Sequence, residues 1–179
     1  MRPNRIFKQG RIVAINVSLI VILLLSSMAL NTQKPVNFSG SWQFNRAKSD
    51  LDKLDSGYSG NIILKITQTP TTIAFSEIYK QQGSPDWETA IESYNLDGKE
   101  RTTTHKDIGT NKKTAKWSDD KQSLTITNID TQSLEGVPQD FTVIDKYTLS
   151  TDGKTLTIER YRKNPVTGES KAKKVYSKN

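Results

Sequence analysis

The residues that could do chemistry are few: one histidine, and a handful of ionisable side chains set among apolar ones. His105 is the only histidine, so a Ser–His–Asp relay would need it as the base. Serine and aspartate are plentiful, but no nucleophile-elbow pattern surrounds any serine. No glycine-rich phosphate loop is present either. Asp119-Asp120 could suggest a cation site, yet the spacing of a calcium loop is missing and a solvated turn accounts for the pair. The chain has no cysteine, which removes thiol chemistry and zinc–cysteine sites. The expectation is a non-enzymatic protein with no catalytic residues, no metal and no cofactor.

A different constellation follows from strand parity, because alternate side chains of a strand share a face. Phe141, Val143, Asp145, Tyr147 and Leu149 point one way; so do Leu156, Ile158 and Arg160, and so do Ile73, Phe75, Glu77 and Tyr79. Glu77, Asp145 and Arg160 therefore fall on faces that are otherwise apolar. Burying a charge alone is expensive, so these groups must pair or line a wet cavity. One reading is a ligand cavity lined by Phe75, Glu77, Asp145, Tyr147 and Arg160. The other is a structural ion pair near a barrel rim, or a strand whose parity shifts at a bulge. Trp42, beside Gly40, reads as an end plug, with a late-strand arginine over its ring as a cation–π closure. Arg160 is the expected partner, with Arg162 in its place if the parity shifts.

Positioning such residues requires a β framework. Ser39–Asn45 reads as the first strand. Arg46 to Leu54 reads as one short helix, capped by Asn45, with Leu51 and Leu54 on one face and Gly57 and Gly60 behind it. From Asn61 onward the pattern is β throughout. Ile62, Leu64 and Ile66 alternate with Ile63, Lys65 and Thr67. After Pro70 the alternation resumes at Ile73, Phe75 and Tyr79, and Gly83-Ser84-Pro85 turns the chain into Trp87–Asn95. Asp97-Gly98 predicts a tight hairpin into Glu100–His105. Asp107, Gly109 and Asn111 mark the next turn, and Lys113–Trp117 and Ser123–Ile129 flank Asp119-Asp120. Gly136 and Pro138 begin a loop into Phe141–Leu149. Asp152-Gly153 turns the chain into Thr155–Arg162, and Asn164, Pro165 and Gly168 turn it into Lys171–Tyr176.

Short turns between sequential strands favour an antiparallel up-and-down meander over parallel pairing. The expected fold is all-β, a barrel of about eight to ten strands with one short helix after the first. An internal echo fits a meander: Trp117-Ser118-Asp119-Asp120-Lys121-Gln122-Ser123-Leu124 resembles Leu149-Ser150-Thr151-Asp152-Gly153-Lys154-Thr155-Leu156. The two copies are too few for a repeat array.

The first thirty residues stand apart. Arg2, Arg5, Lys8 and Arg11 precede an apolar run from Ile12 to Leu25, and Ser27-Met28-Ala29 supplies small residues at a signal-peptidase site. The segment is a cleaved signal peptide or, if its apolar run extends to Leu30, an anchor. Either form exports the remainder, and membrane attachment would come only through an uncleaved leader. Residues 31–36 form a linker and 37–179 the domain, long enough for a sizeable core. The chain's net charge is +7, and residues 1–30 hold four bases and no acids, leaving 7 − 4 = +3 beyond them. Interspersed charges of that size do not indicate nucleic acid. The local basic run Lys171-Ala172-Lys173-Lys174 reads as a charged edge strand. An exported domain without disulfides must rely on its core.

Phe38-Ser39-Gly40-Ser41-Trp42, with Asn45, Lys48-Ser49-Asp50 and the late Ser150–Glu159 stretch, resembles exported bacterial lipocalin-like proteins of the calycin type. The resemblance spans essentially the whole chain after the leader and rests on the Gly-x-Trp opening of a first strand. Ile144-Asp145-Lys146-Tyr147 is the nearest match to the late Thr-Asp-Tyr of lipocalins, and the usual disulfide is impossible. The resemblance implies a lipocalin-like barrel, in the periplasm or secreted, that binds a small apolar or amphipathic molecule. The alternative is a packed barrel that acts as a protein–protein interaction module of the envelope.

Overall fold

Alternation of apolar and polar residues folds most of the described residues into strands. The computed structural model describes residues 34–55, 61–80, 83, 85–106 and 109–179; the leader, the first part of the linker, and Gly57, Gly60, Ser84 and Asp107 lie outside the described residues. The strands are β1 (Gly40–Phe44), β2 (Ile62–Gln68), β3 (Thr72–Tyr79), β4 (Trp87–Glu88), β5 (Glu92–Asn95), β6 (Arg101–His105), β7 (Gly109–Trp117), β8 (Ser123–Leu134), β9 (Val137–Leu149), β10 (Thr155–Asn164) and β11 (Gly168–Lys178). They form one antiparallel sheet in the order β4-β3-β2-β1-β11-β10-β9-β8-β7-β6, with β5 also on β3. The up-and-down, all-β expectation is met.

β4 and β5 are one interrupted strand along β3. Ile78 faces Glu88, whereas Phe75 faces Glu92. Ser76 and Glu77 therefore oppose Thr89, Ala90 and Ile91, which is a bulge of one extra residue.

The sheet does not close into the expected barrel. Closure would need β5 and β6 to pair, and the Asp97-Gly98 signal predicts that hairpin. The chain does turn there, but β5 pairs with β3 and β6 with β7. β6, Arg-Thr-Thr-Thr-His, is exposed along its whole length. With no apolar face to bury, it gains little from a second partner. Side chains cross the seam instead. Glu92 accepts from Lys113 of β7 at 2.5 Å, and the Tyr94 hydroxyl exchanges hydrogen bonds with Asn128 of β8 at 2.9 and 3.2 Å.

Three further expectations change. The short helix over 46–54 is two single 3-10 turns, Arg46–Lys48 and Lys53–Asp55. Asn45 does cap the first, accepting from the Lys48 amide at 3.2 Å. Between the turns, however, Asp50 bridges Lys173 of β11, which keeps the backbone extended. The basic run at 171–174 is not an edge strand, because β10 pairs along one side of it and the segment after β1 runs along the other, where Asp50 bridges Lys173. The loop expected from Gly136 is a tight β8–β9 hairpin, with Glu135 and Gly136 both at positive φ. β9 runs through Pro138, and β10 pairs with β9 only from Thr142 onward. Pro138 thus stands where β9 has a free edge, the strand position that tolerates a missing amide.

The echoed segments take the same turn. Ser118 donates to Asp120 and Ser150 to Asp152, both at 2.6 Å, and each serine hydroxyl also accepts the amide five residues on.

Inward side chains form layers. Phe38, Trp42, Leu124 and Leu156 fill one end and are fully buried. The Trp42 indole donates to the Phe38 carbonyl at 2.9 Å, and Phe38 stacks on Trp117 with centroids 5.9 Å apart. The Val36 amide bonds the Lys121 carbonyl, and Gln68 bonds the backbone of both Val36 and Phe38. The segment before β1 thereby closes this end of the rolled sheet. Above it lies an aromatic layer in which Phe75 meets Tyr147 at 5.1 Å and Tyr94 at 6.0 Å, and Phe44 meets Tyr176 at 5.4 Å.

Candidate functional site

Above the aromatic layer the inward positions become charged. β1 stops at Phe44, so the following segment runs beside the freed edge of β11 and brings Asp52 and Asp55 to the open end. β10 presents Arg160 and Arg162 on the face that buries Leu156 and Ile158 lower down. β11 presents Lys174 directly opposite Ile158, with side chain only 2 % exposed. β3 adds Glu77 and Tyr79, and β9 adds Asp145.

These groups pair with one another. Arg160 donates from Nε and Nη2 to both oxygens of Asp145, at 2.6 and 2.5 Å. Their strands set this up, since Arg160 and Asp145 are register partners. Arg162 bridges Asp52 and Asp55 at 2.8 Å each, with a second bond to Asp55 at 2.9 Å. Lys174 reaches the Asp55 Oδ1 at 3.0 Å, Ser170 donates to Asp52 at 2.6 Å, and the Tyr79 hydroxyl donates to Glu77 at 2.7 Å.

Burial works against the ionised form of Asp55, but hydrogen bonds and charge from Arg162 and Lys174 outweigh it and hold its carboxyl down at about 2. For Asp52 burial is likewise overcome, by Ser170, the Asp55 backbone and Arg162. Lys174 moves the other way from a well-paired amine. Burial and then the Arg160 charge lower it, and the carboxylates of Asp55 and Glu77 do not fully offset them. Partial burial works against the charge of Arg160 as well, yet its bonds to Asp145 outweigh it and raise the guanidinium above its ordinary value. Burial drives Tyr147 and Tyr176 well above the ordinary phenol range, so both remain protonated.

The charged and aromatic layers enclose a cavity of about 580 Å³. Phe75, Glu77, Asp145, Tyr147 and Arg160, which parity placed on inward faces, all line it. The ionic-pair reading is also realised, because Asp145 and Arg160 form a bidentate pair inside that same cavity. Sequence reasoning missed Asp55, Lys174 and Tyr176 as lining residues. Lys174 and Tyr176 share parity with Ala172 on β11, a signal hidden by reading the basic run as a solvent-facing edge. Asp55 carried no such signal, because its place depends on where β1 ends.

The end-plug expectation needs one correction. Gly40 and Trp42 do lie together, and a Cβ on Gly40, at φ +153°, would stand 3.4 Å from the Trp42 indole nitrogen. The cation over the Trp42 ring is Lys178, 5.4 Å from its centroid. Arg160 is committed to Asp145 and Arg162 to Asp52 and Asp55.

A second cavity, of about 490 Å³, occupies the seam between β5 and β6. It shares Tyr94, Asn111, Lys113 and Asp130 with the first and is also lined by His105. His105 is an exposed residue of β6 and does not line the main cavity.

No protein-family model matches the chain, and no curated protein matches it in sequence.

Proposed function

We propose that this chain is a non-catalytic binding protein of the cell envelope, a lipocalin-like cup for one small amphipathic molecule. The observation that carries the reading is the main cavity, with an aromatic floor of Phe75, Tyr94 and Tyr147 below a wall of paired charges. Ligand cavities combine apolar surface with a few fixed polar groups that orient the guest. The volume, about 580 Å³, lies within the usual range for such sites. Paired charges hold a rigid polar wall without a group poised for proton transfer, which suits retention better than turnover. The Gly-x-Trp opening and the antiparallel meander support the lipocalin-like assignment, and the leader supports export to the periplasm or beyond. Ligand capture needs no cofactor, metal or nucleic acid.

Native mass spectrometry of the protein purified from its own envelope tests this directly. A stoichiometric small molecule released on unfolding is the expected result. No bound mass, together with no uptake of apolar dyes by the folded chain, would overturn it.

One observation favours a second reading, an envelope protein–protein module. β6 is a fully exposed edge strand whose outer backbone groups pair with no strand among the described residues, and such edges accept added strands. Specific cross-linking of residues 101–105 to an envelope protein would favour it.

A further inference from the structure

We propose that the polar group of the ligand is a carboxylate, received by Arg160, Tyr147 and Tyr176; this rests on the cavity-binding reading above and specifies its ligand. Each carboxylate of the cavity wall already has a donor. Both oxygens of Asp145 receive Arg160, both oxygens of Asp55 receive Arg162, and Lys174 adds to one of them. Glu77 accepts from Tyr79, and Glu92 accepts from Lys113. Asp130, nearer the seam, accepts from Asn111.

The donors are not all taken. Tyr147 and Tyr176 are 7 % and 1 % exposed, and both line the cavity. Among the described residues neither hydroxyl has a hydrogen-bond partner in the protein. Every described side-chain nitrogen or oxygen sealed from solvent does have a partner, so these two hydroxyls open onto the cavity. Arg160 uses Nε and Nη2 on Asp145, and by the same reasoning its Nη1 is not sealed from solvent; the residue lines the cavity.

A guanidinium has no acceptor and a neutral phenol has one proton to give. What satisfies all of them is an oxygen acceptor, and an ionised one makes the stronger bonds. An ammonium head would meet carboxylates that already have partners and a guanidinium of like charge. The rest of the lining near Phe75, Tyr94, Ile126 and Val143 is suited to an alkyl or aryl body. The class is thus an amphipathic carboxylate, bound with its acid group between β9, β10 and β11 and its body along β3, β5 and β8.

Three probes with the same ten-carbon chain and different heads test this: decanoate, decanol and decyltrimethylammonium, titrated calorimetrically into the purified full chain at neutral pH below their micellar concentrations. Decanoate should bind at least about tenfold tighter than decanol, with the ammonium weakest. Tyr147→Phe and Tyr176→Phe remove only a hydroxyl, and circular dichroism should show both folded. Each should weaken decanoate by roughly tenfold or more, the value of a hydrogen bond to a charged group. Decanol should change far less. Equal binding of the three heads, a preference for the ammonium, or decanoate binding unaltered in both variants would overturn the carboxylate assignment while leaving a binding cavity. Binding of none of the three would overturn the cavity reading itself.

Discussion

Asp55→Asn tests the ionic wall where the structure makes the strongest statement about it. The substitution keeps the shape of the carboxyl and removes its charge from between Arg162 and Lys174, at 2.8–3.0 Å. Holding the carboxyl at about 2 rather than its ordinary 3.8 corresponds to roughly 2–3 kcal/mol of folding stability at neutral pH, at about 1.4 kcal/mol per pH unit. Because the folded value lies below the unfolded one, this contribution is fully present above about pH 4 and disappears as pH falls through about 2. The amide of the Asp55→Asn variant does not titrate, so the gap between the two proteins should shrink across that window. Urea unfolding followed by tryptophan fluorescence reads both effects, since Trp42 is fully buried. At pH 7 the midpoint should fall by roughly 1–2 M, taking a slope of about 1.5 kcal/mol per M. Removing the Asp55 charge from beside buried Lys174 would enlarge the loss, and adding Lys174→Met to Asp55→Asn should return part of it. A loss under about 0.5 kcal/mol at pH 7, or a gap that is the same at pH 5 and pH 2.5, would refute the reasoning.

Asp145→Ala and Arg160→Ala should be non-additive by about 1–3 kcal/mol in a double-mutant cycle, because each leaves the other's charge without its bidentate partner; additive losses would contradict the pairing. Gly109→Ala should cost several kcal/mol in thermal unfolding, since its Cβ would stand 1.9 Å from the Thr131 carbonyl oxygen at φ +133°. Gly136→Ala, at φ +82° with no atom within 4 Å of its Cβ, should cost less. Tyr94→Phe with Asn128→Ala should speed amide exchange in β5 and its neighbours at the seam while leaving β10 and β11 protected, as measured by hydrogen–deuterium exchange.

Parity was the most readable property of this sequence. Ile73-Ala74-Phe75-Ser76-Glu77 and Val143-Ile144-Asp145-Lys146-Tyr147 each name their inward residues with no knowledge of their partners, because the period of a strand is two. The Ser-x-Asp turns were legible for a similar reason: the bonds from Ser118 and Ser150 are local, so like sequences make like turns. Where the reading failed, the deciding contacts were distant in sequence. Leu51 and its neighbours have a helical spacing, but the bridge from Asp50 to Lys173 sets their backbone. Lys174 looks like a surface lysine until β1 and β10 flank its strand and Asp55 arrives beside it. Asp97-Gly98 marks a turn correctly, but a turn does not oblige its flanking strands to pair when one of them has no apolar face. Arg160 had two attractive inward partners, and a carboxylate directly opposite in the ladder outcompetes an indole at the far end.

The central claim is that the space walled by Phe75, Glu77, Asp145, Tyr147 and Arg160 holds a small molecule. Two-dimensional amide NMR of the protein as isolated, compared with the same protein after unfolding, extraction and refolding, tests it most directly. Shift differences should concentrate in β3, β9, β10 and β11 around these residues and reverse when the extract is added back. Superimposable spectra, or differences confined to Arg101–His105 of the β6 edge, would contradict it.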